Sequence, residues 1–177
     1  MRTDVFLFGL ISIFMLMSCN SDVVFEDFES GSLSKWAAEG DAFATVPTVS
    51  ADDPEVKGYN GEGFLKSLSS AVVQGTLTSE PFTIERKYIN FLLGGTGSAY
   101  THSSASINLV INGETVQTIS SVGRIPSEME WMSWDVSQYK NKEAAITVTV
   151  NASGPSFSSA YDPAENQMRA IIQDAKI

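Results

Sequence analysis

A single cysteine, Cys19, and a single histidine, His102, stand in 177 residues. One cysteine forms neither an intramolecular disulfide nor a cysteine zinc cluster, and one histidine excludes the paired-imidazole centres of most metallohydrolases. His102 is also unaccompanied by a Gly-x-Ser-x-Gly elbow, which removes the Ser/His/Asp route to nucleophilic catalysis. Positive charge is scarce: 11 Lys and Arg stand against 21 Asp and Glu, for a formal net charge of −10. Affinity for nucleic acid comes largely from cationic side chains that displace counterions, so nucleic acid is excluded as a partner. Sustained amphipathic helical periodicity is absent as well.

The one long apolar run lies at the amino end. Arg2 precedes Val5 to Met17 (VFLFGLISIFMLM), an uncharged run that ends at Ser18-Cys19. It is short of the about 20 apolar residues that cross a bilayer and suits the hydrophobic region of a secretory signal. Leu16-Met17-Ser18-Cys19 resembles a bacterial lipobox, in which the cysteine is acylated and becomes the first residue of the mature chain. The expected organisation is a lipoprotein signal peptide over 1–18, a short tether over 19–22 and a folded domain over 23–177. Lipidation at Cys19 makes the membrane a partner and places the domain outside the cytoplasm, on the bacterial cell envelope at the outer membrane.

Beyond the tether, β-rich stretches recur between Gly, Pro, Ser and Asn punctuation. Strands are expected at 23–28, 35–38, 42–46, 63–68, 75–78, 82–84, 88–93, 106–111, 115–120, 130–135, 145–150 and 168–177. In Ile107 to Val116 the Asn112-Gly113 pair supplies the two positive-φ residues of a type I′ hairpin. Ile146, Val148 and Val150 alternate with Thr147 and Thr149, as in a strand with one face on a core and the other in solvent. The fold class is all-β: a two-sheet antiparallel β-sandwich of jelly-roll type. Trp134, Asp135, Ser137 and Tyr139 form a structural motif, with Asp135 and Ser137 bonding nearby backbone N–H groups and the two rings lying over the sheet edge.

Several segments, taken in order, carry a family likeness: Phe25-Glu26-Asp27-Phe28-Glu29-Ser30-Gly31, Trp36, Gly40-Asp41-Ala42-Phe43, Gly61-Glu62-Gly63-Phe64, Gly75-Thr76-Leu77-Thr78-Ser79, Tyr88 to Gly95, Trp131 to Ser137 and Ile172-Gln173-Asp174. The set resembles the amino-terminal β-sandwich domain attached to glycoside hydrolase family 32 enzymes, the levanases and other fructan hydrolases of Bacteroidetes. The resemblance implies an accessory role in fructan (levan or inulin) degradation, with the polysaccharide and a glycoside hydrolase catalytic domain as partners. It also leaves open that the chain is the amino-terminal piece of such a hydrolase, or a spacer with no sugar affinity. The family's catalytic Asn-Asp-Pro-Asn-Gly segment is missing, since Tyr161-Asp162-Pro163 lacks the neighbours, so this chain is expected to be no enzyme. A second departure is the Ser-rich connection from Asn151 to Gln167.

Among the candidate site residues, Glu26, Asp27 and Glu29 alternate across a strand and make a poor glycosidase pair. No cofactor is required, but a structural Ca²⁺ between first and last strands would draw oxygen ligands from Glu26, Glu29 and Asp174. Sugar binding uses aromatic rings against sugar C–H faces, with polar groups fixing hydroxyls. Tyr100, His102 and Tyr161, on loop-like segments, are the sugar-binding candidates, while Trp36, Trp131 and Trp134 are assigned to core or sheet-edge packing.

Overall fold

The computed structural model describes residues 22–54, 56–68, 72–94, 104–120, 128–153 and 171–176, the last segment by its backbone. The alternation in the sequence becomes two antiparallel sheets. One runs β10 (Glu130–Asp135), β7 (Tyr88–Gly94), β12 (Ile171–Lys176), β4 (Gly63–Lys66) and β3 (Thr48–Val49), with β1 (Val24–Glu26) also paired to β12. The other runs β2 (Trp36–Gly40), β5 (Val72–Ser79), β11 (Glu143–Ser153), β8 (Ser104–Ile111) and β9 (Glu114–Ser120), with β6 (Phe82–Thr83) paired to β11. β12 has β7 along one side and, along the other, β4 for its first half and β1 for its second. The first and last strands therefore meet, closing an all-β jelly-roll sandwich.

Each sheet sends its apolar set inward. Ile107, Leu109, Ile146, Val148 and Leu77 from one sheet meet Ile89, Phe91, Leu93, Leu65 and Trp134 from the other in a single core. Burying each such side chain contributes about 1.5–3 kcal/mol relative to exposure. The hairpin from β8 to β9 turns on Asn112 (φ 53°) and Gly113 (φ 79°), whose shared positive φ matches the right-handed strand twist.

A smaller core lies on the outside of the first sheet. Val56, Phe64, Leu92 and Met129 are buried together there, with Tyr59 packed on them. The segment between β3 and β4 covers them, held by a hydrogen bond from Met129 N–H to the Lys57 carbonyl (2.9 Å) and by the Lys66–Asp53 ion pair. This cover explains why β7 abandons strict alternation at Leu92 and Leu93: in that half of the strand both faces are buried.

Several expected strand limits shift. The stretch expected as a strand at 42–46 makes only an isolated bridge, Phe43 to Ser67, and the ladder forms instead at β3. The cause is the preceding turn. Gly40 takes φ 81°, and Asp41 accepts the Gln74 N–H on its carboxylate (2.9 Å) while donating its own N–H to the Gln74 carbonyl (2.8 Å), which carries the chain off the sheet. β5 and β11 run longer than their expected cores, because each pairs with the other as far as Val72 and Ser153.

Candidate functional site

The site is built on the ribbon of β7 and the edge strand β10. These strands pair with Trp131 opposite Leu92, Ser133 opposite Asn90 and Asp135 opposite Tyr88. Trp134 points inward: it is 4% exposed and packs edge-on against Phe91, with ring centroids 4.8 Å apart. Its buried Nε1 has no acceptor among the described residues, so packing alone fixes the indole. Met132 packs on the same core. The strand period of two then sends Trp131, Ser133 and Asp135 to the outer face. On β7 the inward set is Ile89, Phe91 and Leu93, and Tyr88, Asn90 and Leu92 face outward.

The outer face thus carries two exposed rings, Trp131 at 50% and Tyr88 at 44%, with Asn90 and Ser133 between their rows. Asp22, Asn90, Trp131, Met132 and Ser133 line an open cleft of about 290 Å³. An indole face, an amide, a hydroxyl and a carboxylate make a surface for a polyhydroxylated ligand: the ring takes apolar C–H groups and the others exchange hydrogen bonds with hydroxyls.

At the far end of the ribbon, Asp135 Oδ1 accepts hydrogen bonds from Ser137 N–H (3.0 Å) and Ser137 Oγ (2.5 Å), and a 3-10 turn follows over Ser137–Tyr139. These two bonds, aided by Lys87, hold the Asp135 carboxyl below the usual aspartate range. Lys87 Nζ sits 4.9 Å from the Tyr88 ring centroid and 3.9 Å from Asp135 Oδ2. Tyr88 first, then Asp135, favours the charged form of Lys87 and raises its pKa. Tyr139 is half-buried against the core.

Two placements correct the sequence reading. Trp134 lies in the core rather than over the sheet edge, and Trp131, grouped there with the packing residues, is half exposed on the outer face. The pattern was present in Trp131-Met132-Ser133-Trp134, because residues three apart on a strand face opposite ways. Cys19, Tyr100, His102 and Tyr161 lie outside the described residues.

The acidic cluster at the end of β1 and just after it makes hydrogen bonds within the chain. Glu26, 5% exposed, accepts from Phe28 N–H (3.0 Å) and Trp36 Nε1 (3.2 Å), fixing Phe28 at φ 63° with its ring stacked on Trp36. Asp27 accepts from Glu29 N–H (3.1 Å). Glu29 Oε1 reaches across to the N–H groups of Glu62 and Gly63, each at 2.8 Å. Glu26 and Glu29 are thus hydrogen-bond anchors that tie β1 to β2 and β4. Among the described residues no three His, Cys, Asp or Glu side chains converge on a metal position; the side chain of Asp174, on β12, is outside that set.

The outer face of the second sheet offers a different surface. Thr76 and Thr149 hydroxyls meet at 3.3 Å, Asn108 Nδ2 donates to Thr147 Oγ1 (3.2 Å), and Thr118 Oγ1 donates to Asn108 Oδ1 (2.9 Å). These hydroxyls and amides satisfy one another and bring no ring, so the β7/β10 ribbon is the better-equipped face for a sugar.

No known protein-family profile matches the chain. In fold it is a β-sandwich of the kind found in carbohydrate-binding modules. The carbohydrate-binding module TmCBM61, solved in complex with beta-1,4-galactotriose, superposes with a TM-score of 0.57 at 15% identity, over 86% of this chain and 94% of that one. The K1 cleaved adhesin domain of Lys-gingipain from Porphyromonas gingivalis W83 gives a TM-score of 0.57 at 12% identity, over 88% and 96%. Among curated proteins, the Aspergillus rugulosus protein named "Putative glycosyl hydrolase ecdE" is 37% identical over 141 residues, 76% of this chain. The match spans 19% of that relative's length.

Proposed function

We propose that the chain is a non-catalytic, lipid-anchored accessory module of fructan degradation that binds polysaccharide through the outer face of the β7/β10 ribbon. The observation that carries the binding role is Trp131, half exposed beside Asn90 and Ser133 in an open cleft. A spacer needs no half-exposed indole set beside an amide and a hydroxyl. Two further features support a carbohydrate setting: a fold shared with carbohydrate-binding modules, and a curated relative named as a glycosyl hydrolase. The fructan assignment, levan or inulin, rests on the resemblance to domains of glycoside hydrolase family 32. The catalytic partner in this reading is a glycoside hydrolase domain, and anchorage at the cell envelope through Cys19 rests on the lipobox-like Leu16 to Cys19.

Affinity electrophoresis of the purified chain through levan, inulin and β-1,4-galactan gels tests the binding role. Retardation is expected, and Trp131→Ala should weaken it about tenfold, equivalent to about 1.4 kcal/mol. Unchanged migration of the wild type in all three gels, with a known binder retarded, would sink the proposal.

A further inference from the structure

We infer that the binding surface is an extended platform for a linear, neutral oligosaccharide of three consecutive units, with Trp131 and Tyr88 as its end subsites. This inference rests on the carbohydrate-binding role proposed above and adds the length and charge of the ligand. The two rings occupy one face of one ribbon, four residues apart along either strand, since Trp131 pairs with Leu92 and Tyr88 with Asp135. At about 3.3 Å per residue the ring rows are roughly 13 Å apart along the strands. That distance suits a sugar on each ring and one between them. The middle position has its own equipment: Asn90 and Ser133, directly opposed, present an amide and a hydroxyl.

Tyr88 is not a stray surface ring. The Lys87 ammonium lies 4.9 Å from its centroid and within 3.9 Å of Asp135, which is itself pinned by Ser137. Restraining a ring before the ligand arrives reduces the ordering cost of binding. Charge favours a neutral ligand. At the Tyr88 end Lys87 offsets Asp135, but Asp22 lines the cleft beside Trp131 in a chain of net charge −10, so a uronate-bearing glycan meets like charge at that end while a neutral one meets an acceptor for its hydroxyls.

The test is titration calorimetry with oligosaccharides of two to five units from inulin, levan and β-1,4-galactan, together with gel retardation in those polysaccharides and in polygalacturonate. Affinity should climb from two units to three and change less than about twofold beyond. Tyr88→Ala should cost about tenfold on the trimer and leave the dimer unchanged, Tyr88→Phe should retain trimer affinity, and Trp131→Ala should weaken both. Polygalacturonate should not retard the protein. Equal affinity for dimer and trimer, or a Tyr88→Ala variant with wild-type trimer affinity, overturns the two-ring platform and leaves a one-ring sugar site standing. Retardation by polygalacturonate as strong as by the neutral polymers overturns the charge assignment. Absence of binding to every oligomer and polymer removes the carbohydrate role itself, and the platform with it. Both rings are exposed and outside the main core, so thermal melts at wild-type temperature confirm that each variant is folded.

Discussion

Two tryptophans three residues apart on a strand cannot share a face, and in β10 this decides which is structure and which is site. Trp134 buries its indole on Phe91, and Trp131 is thereby turned to solvent. The same parity carries Asp135 outward, where its carboxylate fastens the turn through Ser137. That carboxyl titrates below its ordinary value because both Ser137 bonds favour the ionised form. For an acid whose folded pKa is depressed, the stabilisation is fully present above the unfolded value. It is lost as pH falls from the ordinary aspartate range, about 4, through the lower folded value. Asn at this position can still accept a hydrogen bond but does not titrate. Melting midpoints measured between about pH 6 and 2 should therefore fall more steeply for the wild type than for Asp135→Asn within that acidic window. Parallel curves would show that Asp135 contributes nothing to the acid limb.

At the scale of elements, local chemistry and distant contacts shape different positions. The β8–β9 turn was legible in the sequence because Asn112-Gly113 requires nothing beyond its own two residues. The paired alternation of β11 was legible for a similar reason: Ile146, Val148 and Val150 mark one face wherever the strand lies. The 42–46 stretch has a composition that suits a strand, but the turn at Gly40 and Asp41, locked to Gln74 from another strand, leaves it only the single bridge from Phe43 to Ser67. Trp131 is hard to separate from a packing residue in the sequence, because its neighbours Met132 and Trp134 do pack inward and only strand parity divides the run into two faces. The small outer core was hidden as well, since only the folded chain brings Val56 over Leu92. Two glycines separate these causes experimentally. At Gly113 (φ 79°) a methyl group would meet open space, so Gly113→Ala should cost only the strain of a positive φ, about 1 kcal/mol. At Gly63 the backbone is ordinary, but a methyl group would strike the Phe28 carbonyl in the segment that Glu29 ties to β4, so Gly63→Ala should cost about 3 kcal/mol. Urea unfolding of the two variants reads the difference. Equal losses would mean that the β1–β4 junction yields more freely than its close packing implies.

For the whole molecule, a platform of two rings and a few hydrogen bonds makes a weak single site, and a weak site gains most from being displayed in many copies on one surface. A polysaccharide chain held by one copy places its next segments within reach of neighbouring copies, so each further contact forms at the effective concentration set by the tether rather than by the bulk solution. Gains of about 10²–10⁴ over the single-site affinity follow from such linkage with no new contact. Acylation at Cys19, as proposed above, would supply this arrangement, because two or more acyl chains at about 0.8 kcal/mol per buried CH₂ hold the domain on the membrane. Cells displaying the wild-type chain should therefore retain fluorescent levan at concentrations about 100-fold below those needed to saturate the purified domain. Cys19→Ala should release the protein and abolish retention without changing the single-site affinity measured in solution. Retention that tracks the solution affinity, with no gain from anchorage, would show that the copies bind independently and that the tether positions the domain without adding avidity.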